Sequence, residues 1–322
     1  MKYYVMDFQL RVTEELNNSF LLAVTFGTLY FDGLISSLVE LVYRKRICAL
    51  YNDMIRLWDQ LSVNAPEEFD RKMLNHFVFK LYAIDLLCII VAVTIRTAQY
   101  LQSKSALAFY NILGVIMTVG FNVTIINLFV IVCYIGAHCY RLLNYRLLLI
   151  NRKLKLIENK FLVCKTVTAE LRQLALWHRE INQLILYFNV ADHSTKSRVA
   201  LFGTYVLVVM PLRENKQPEI GGFGYLSFLS VFYCFQFYYL VDSAALFTKR
   251  AEKTGAIVDD FSIRHSRELM DIRIETFSLE LLHRRNKLEN CGFFSIDYSL
   301  MYAALATMIN YLIIAVQFQI AH

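Results

Sequence analysis

The sequence predicts an all-α fold: a polytopic helical membrane protein with six spans, its inner helices projecting into a cytoplasmic anchor bundle. Three observations predict it. Hydrophobic residues make up 57% of the 322-residue chain against 19% charged, with a mean hydropathy of +0.42. A water-soluble core of this length has no use for so much apolar surface, whereas several bilayer spans do. Helix breakers are few, with three prolines and eleven glycines, so long uninterrupted helices are allowed. Basic residues are also distributed unevenly between successive loops, as topology requires.

Taken in order, residues 1–17 carry Lys2, Asp7, Arg11, Glu14 and Glu15. That leaves no room for the apolar core of a secretory signal, so the chain is expected to enter the membrane through its own first span. Five runs read as spans: 19–42, 77–97, 108–137, 222–247 and 293–320. A sixth, Val199–Leu212, holds only about 14 apolar residues before Arg213, short of the roughly 17 needed. It spans by taking the polar stretch Asp192–Arg198 into its inner part. No Gly/Ser linker or low-complexity tract interrupts the chain, so 1–322 is expected to form a single helical membrane domain.

Loop charge tests this count. Lysine plus arginine number 6 in 44–75, 1 in 98–107, 10 in 138–196, 2 in 213–221 and 9 in 248–292. That alternation is what six spans predict, with the long basic loops cytoplasmic and both termini outside. If 199–212 did not span, the basic loop 248–292 would lie outside, against the rule. The net charge of +6 thus reports topology and contact with anionic membrane lipid, not nucleic acid binding. Cys88, Cys133 and Cys234 fall within spans, and Cys48, Cys139, Cys164 and Cys291 on or near the inner side, so no structural disulfide is expected. The sequon Asn17-Asn18-Ser19 abuts the membrane and is expected to go unused.

The inner segments carry apolar residues three and four apart. The series are Ile47, Leu50, Met54, Leu57, Leu61; Leu147, Ile150, Leu154, Ile157, Phe161; and Leu171, Leu174, His178, Ile181, Ile185, Phe188. The fifth span continues in the same spacing through Leu240, Ala244, Phe247 and Ala251. Such seams bury one stripe of a helix against other helices, or lay it on a membrane surface. The first arrangement makes a bundle from helices that run out of the membrane. Both tryptophans, Trp58 and Trp177, fall in these segments, and His178 reads as a core histidine.

Polar groups inside the apolar runs are the candidate functional residues, because hydrocarbon makes each of them costly. Gln317 lies deep in the last run and shares a helix face with Asn310 and Ile313 or Ile314, while Tyr311 and Phe318 lie on another. Such a face can line a pore or clamp two helices within one chain. Asp297, at the start of the run, suits a helix N-terminus or a contact with the anchor. Asp85, mid-span, must be buried, paired, neutral or wet; it is a candidate to contact ligand or to hydrogen-bond a neighbouring helix, with Asn122 and Gln236 on neighbouring spans as partners for either role. Phe109, Phe121, Phe228, Phe232 and Tyr233, in the outer halves of the spans, could wall an apolar pocket for a small molecule or simply pack. No serine-hydrolase, zinc-protease or P-loop signature is present, and no rhodopsin-like Asp-Arg-Tyr, potassium-filter or arginine-ladder motif. The chain is therefore expected not to be an enzyme and to need no metal or cofactor.

The segment Tyr311-x5-Gln317-Phe318, closing the last span, resembles the signature that ends insect gustatory receptors. The stretch Tyr43-Arg44-Lys45-Arg46-Ile47 to Leu61 and the stretch Glu170 to Asn189 resemble further parts of that family. Asn310 stands where the family motif begins with threonine. Family members have seven spans, so the six counted here imply that the first is missing. The resemblance implies a chemosensory receptor acting as a ligand-gated, non-selective cation channel in the plasma membrane. It would be a homo- or hetero-tetramer whose last helix lines the pore, with Gln317 and Phe318 at the gate. The small-molecule tastant would bind in the outer part of each subunit's bundle, and Asp297 would sit where the pore helix meets the anchor. The alternative is a non-conducting partner subunit or a truncated product; a transporter fits less well, with no inverted repeat.

Overall fold

The computed structural model describes residues 42, 44–45, 48–62, 71–103, 106–156, 160–191, 220–264, 288–290 and 294–320. Apart from Val42, the expected span 19–42 lies outside the described residues, as does 199–212. Nearly everything described is helical. Helix α1 covers 48–62. Helix α2 (Arg71–Phe79), a π-helical turn (Lys80–Leu86) and α3 (Leu87–Ser103) follow one another without a break. Then come α4 (Ala106–Leu156), α5 (Lys160–Ala191) and α6 (Ile220–Arg264). Two short antiparallel strands, β1 (Glu289–Asn290) and β2 (Phe294–Ser295), precede α7 (Tyr298–Ile320).

Two of these helices are longer than a membrane is thick. With 51 and 45 residues, α4 and α6 are roughly 65–75 Å long, over twice the thickness of the hydrocarbon layer. The expected spans 108–137 and 222–247 therefore cover only one part of each helix; Leu147, Ile150 and Ala251 lie beyond them, while Leu240, Ala244 and Phe247 fall within the second. Among the described residues, Arg71–Ile95 and Ile126–Lys153 are each long and apolar enough to cross a membrane. They differ in surroundings. The first exposes Leu74, Val78, Tyr82, Leu86 and Ile90 along its length, as a lipid-facing helix does, while the second is mostly buried.

The chain forms two compact units. The first contains 1–43 and Ile89–Asn122. Within it, the hydroxyls of Thr94 and Thr97 donate to the carbonyls of Ile90 and Val93, both at 2.8 Å, so each is satisfied inside its own helix. The second contains Arg44–Cys88 and Val123–His322 and holds the main core.

That core is built from the seams. Met54, Leu57 and Leu61 of α1, Leu147 and Ile150 of α4, Leu171, Leu174 and Ile181 of α5, and the whole Leu240–Ala251 series of α6 are buried together. Ala137, Ala244 and Ala251 are fully buried, and small side chains let helix backbones approach closely. The approach of α4 and α6 is locked by polar groups. Asn144 Nδ2 donates to the Arg250 carbonyl at 3.0 Å, Thr254 Oγ1 to Asn144 Oδ1 at 2.8 Å, and Arg250 to the Ala137 carbonyl at 3.2 Å. The Arg146 guanidinium donates to the Leu61 carbonyl at 3.0 Å, capping α1, and lies over the Trp177 ring at 4.9 Å, joining α5. His178 is buried with its ring against Tyr140. The seam residues Ile47, Leu154, Ile157, Phe161, Ile185 and Phe188 lie outside the described side chains.

The last helix begins later than the sequence pattern indicates. The run starts at 293, but Phe294 and Ser295 are taken into β2, and the Ile296 amide donates to the Leu288 carbonyl at 2.8 Å. Asp297 then caps α7 by accepting from the Ser299 amide at 2.9 Å and the Leu300 amide at 3.3 Å. Hydropathy marks where apolar residues start, not where a cap starts a helix.

Truncating the fully buried Leu143 to alanine should cost about 2–5 kcal/mol, because a close-packed core relaxes only partly around the lost atoms. The measurement is the unfolding midpoint of purified protein in detergent. Leu148→Ala, at a half-exposed position on the same helix, should leave the midpoint almost unchanged.

Candidate functional site

Four polar side chains meet within the apolar part of the second unit. Lys80 and Asp85 come from the π-helical turn, Asn127 from α4 and Gln236 from α6; Lys80 is 0% and Asp85 3% exposed. The local winding explains how the first two meet. In an α-helix, residues five apart point about 140° away from each other. A π turn closes from i to i+5 and brings such residues to the same side. The π turn here runs from Lys80 to Leu86 and contains the pair.

The hydrogen bonding is reciprocal. Lys80 Nζ donates to Asp85 Oδ2 at 2.9 Å and Oδ1 at 3.2 Å, to Gln236 Oε1 at 2.9 Å, and to Asn127 Oδ1. Asp85 in turn accepts from Asn127 Nδ2 at 2.7 Å and Gln236 Nε2 at 2.6 Å. The ammonium also lies 5.6 Å from the Tyr239 ring centroid. Around this group, Phe77 packs edge-on against Tyr134, and His76 against Tyr239. Taking two charges out of water is costly, and only such close pairing with every remaining lone pair and proton engaged offsets it.

The second feature is the base of α7. Ile296 and Leu288 are buried in the core, with Leu300 and Met301 packed against it. Tyr298 Oη donates to Asp242 Oδ1 of α6 at 2.6 Å. Beyond this base, Tyr302, Leu305, Ile309, Asn310, Ile313 and Gln317 are exposed among the described side chains.

The sequence-predicted residues distribute as follows. Asn310 and Gln317 are exposed together on α7; Tyr311, Ile314 and Phe318 lie on the same helix with side chains outside the described set. Asp297 is the N-cap, bonded to Ser295, Ser299 and Leu300, and the contact with a neighbouring helix falls one residue later, on Tyr298. Asp85 and Gln236 are joined. Phe232 and Tyr233 are buried side by side on α6, and Phe228 is half-buried. Phe109, Phe121 and Asn122 lie on α4 with side chains outside the described set. Lys80 and Asn127 were not singled out by the sequence. α-Helical spacing turns Lys80 away from Asp85, but a census of polar residues inside the apolar runs would have found Asn127.

A family model described as 7tm Chemosensory receptor matches residues 3–191 and 199–322. The chain belongs to the 7tm chemosensory receptor family. A Drosophila melanogaster relative, gustatory receptor for bitter taste 22e, is 24% identical over 179 residues, covering 53% of this chain. The chain covers less than half the length of that relative, 46%. Among solved structures, the insect olfactory receptor OR5 from Machilis hrabei superposes with a TM-score of 0.69 at 10% identity, over 90% of this chain and 79% of that one. The same receptor in complex with eugenol gives 0.57 at 9% identity, over 94% and 87%. Identities this low establish the fold, a polytopic helical membrane fold, as the sequence predicted.

Removing one partner of the buried pair should be far worse than removing both. Asp85→Leu leaves a stranded ammonium and should cost about 3–5 kcal/mol, whereas Lys80→Met/Asp85→Leu should recover most of the loss. Unfolding midpoints of the two variants, compared in one detergent, decide this; equal losses would show that the charges do not depend on each other.

Proposed function

We propose that this chemosensory receptor is a ligand-gated, non-selective cation channel of the plasma membrane, assembled as a homo- or hetero-tetramer. In this reading α7 from each subunit lines the pore, with the C-terminus outside and the basic, seam-bearing segments in the cytoplasm as one domain with the spans. A small-molecule tastant binds in the outer part of the bundle, with Phe232 and Tyr233 of α6 among the lining residues.

The observation that carries this reading is the state of α7. A glutamine and an asparagine exposed at membrane depth need protein, water or ions to answer them. Asn310, Ile313 and Gln317 lie three and four residues apart on one exposed face. An aliphatic ring from Ile313 and its neighbour Ile314 can dewet and close a pore, and amide groups can replace part of a cation's hydration when it opens. Gln317 and Phe318 stand at the outer end, where the gate is placed. Asp297 fixes the start of the helix and Tyr298 fixes its orientation against α6, which gives the shaft a base to move from.

Expression in an electrically silent cell, alone and with related receptors, tests this. The expected result is a tastant-evoked cation current whose conductance or basal leak changes in Gln317→Ala. Purified chain that remains monomeric, and no current alone or with partners, would overturn the channel reading. Tyr298→Phe removes a hydrogen bond to a charged group at the base of the shaft. It should raise basal current and shift the half-maximal ligand concentration by roughly tenfold.

A further inference from the structure

The surroundings of Lys80 have the composition of a binding site. Its ammonium nitrogen faces both oxygens of Asp85, at 2.9 and 3.2 Å, the Gln236 carbonyl oxygen at 2.9 Å and the Asn127 carbonyl oxygen, with the Tyr239 ring beside it. A carboxylate, two amide oxygens and an aromatic face are the groups with which proteins hold an organic ammonium ion. They come from the π turn, α4 and α6, and those that surround the nitrogen are held by bonds of their own: both amide nitrogens donate to Asp85. The oxygens are therefore positioned by more than their bonds to Lys80.

We propose that Asp85, Asn127 and Gln236, with the Tyr239 ring, form a binding site for a primary ammonium group that the chain fills with its own Lys80. With Lys80 shortened, the same site takes a free alkylammonium ion. The tether explains why wild-type protein holds the site closed. A cation attached to the chain is presented at a high effective concentration, so a free amine gains nothing by competing. Lys80 is then a positioning residue: its charge, more than its packing, ties three helical segments together inside the membrane. The inference is independent of the channel reading, because it concerns binding and not current.

Chemical rescue tests it. Replacing Lys80 by alanine removes Cγ, Cδ, Cε and Nζ, which together match propylammonium atom for atom. Full-length Lys80→Ala protein in detergent should unfold at a lower temperature than wild type. Propylammonium chloride should restore at least half of that loss with saturation. Potassium chloride and tetramethylammonium chloride at the same ionic strength should not, since neither carries an N–H group to donate. Wild type and the Lys80→Ala/Asp85→Asn double variant should show no saturable response. An equal shift with potassium or tetramethylammonium, an equal shift in the double variant, or no shift at all overturns the proposal. If Lys80→Ala does not accumulate as folded protein, it is expressed with propylammonium or with potassium in the medium. Folded, monodisperse protein from the propylammonium culture alone supports the site, and no recovery there overturns it.

Discussion

Hydrocarbon offers no hydrogen bonds, so a membrane helix must answer every polar group it carries from within the protein. The Lys80–Asp85 pair is where this constraint is sharpest. Both charges are buried, and each is met by the other and by the same two amides. The rest of the second unit is arranged consistently with that requirement. Asn127 and Gln236 must come from α4 and α6, so those helices are fixed against the π turn at this level. Further along the same two helices, Asn144, Arg250 and Thr254 repeat the device with backbone carbonyls. One pair of helices is thus pinned twice, once by charge and once by amide bonding, with apolar seams between.

The overall architecture was readable because it depends on patterns that survive averaging. Apolar length and the spacing of Leu57, Leu174 and Phe247 each involve many residues, and single exceptions do not spoil them. Details set by one or two residues were harder to read. The start of α7 is decided by Asp297 accepting two amides, an event that hydropathy does not register. The pairing of Lys80 with Asp85 depends on a local change of winding, and periodicity assumes there is none. Gln236 was identified as a partner of Asp85 because a lone amide in an apolar run demands one. The same logic applied to Asn127 would have completed the group.

The helices α4 and α6 matter for another reason. Each is a continuous helix that contributes both to the polar group and to the packed seams. Within the second unit the polar group and the packed seams therefore share the same two helices, with no loop between them. The base of α7 is lodged in that same core through Ile296, Leu300 and Met301.

The π turn has a consequence for how this segment tolerates change in length. Lys80 and Asp85 would also face one another if they were four residues apart in an ordinary α-helix. The stretch can therefore be regarded as such a pair with one residue inserted. Deleting a residue between them would return the stretch to ordinary α-helix with the ion pair kept, and because Lys80 and Asp85 would still share a face, α2 and the start of α3 would keep nearly the same phase. Met73, buried on α2, would keep its packing, and Leu74 and Val78 would stay exposed. The extra residue does not make the salt bridge. It is taken up within the π turn, so the segment can differ in length by one residue while the helices on either side keep the same faces.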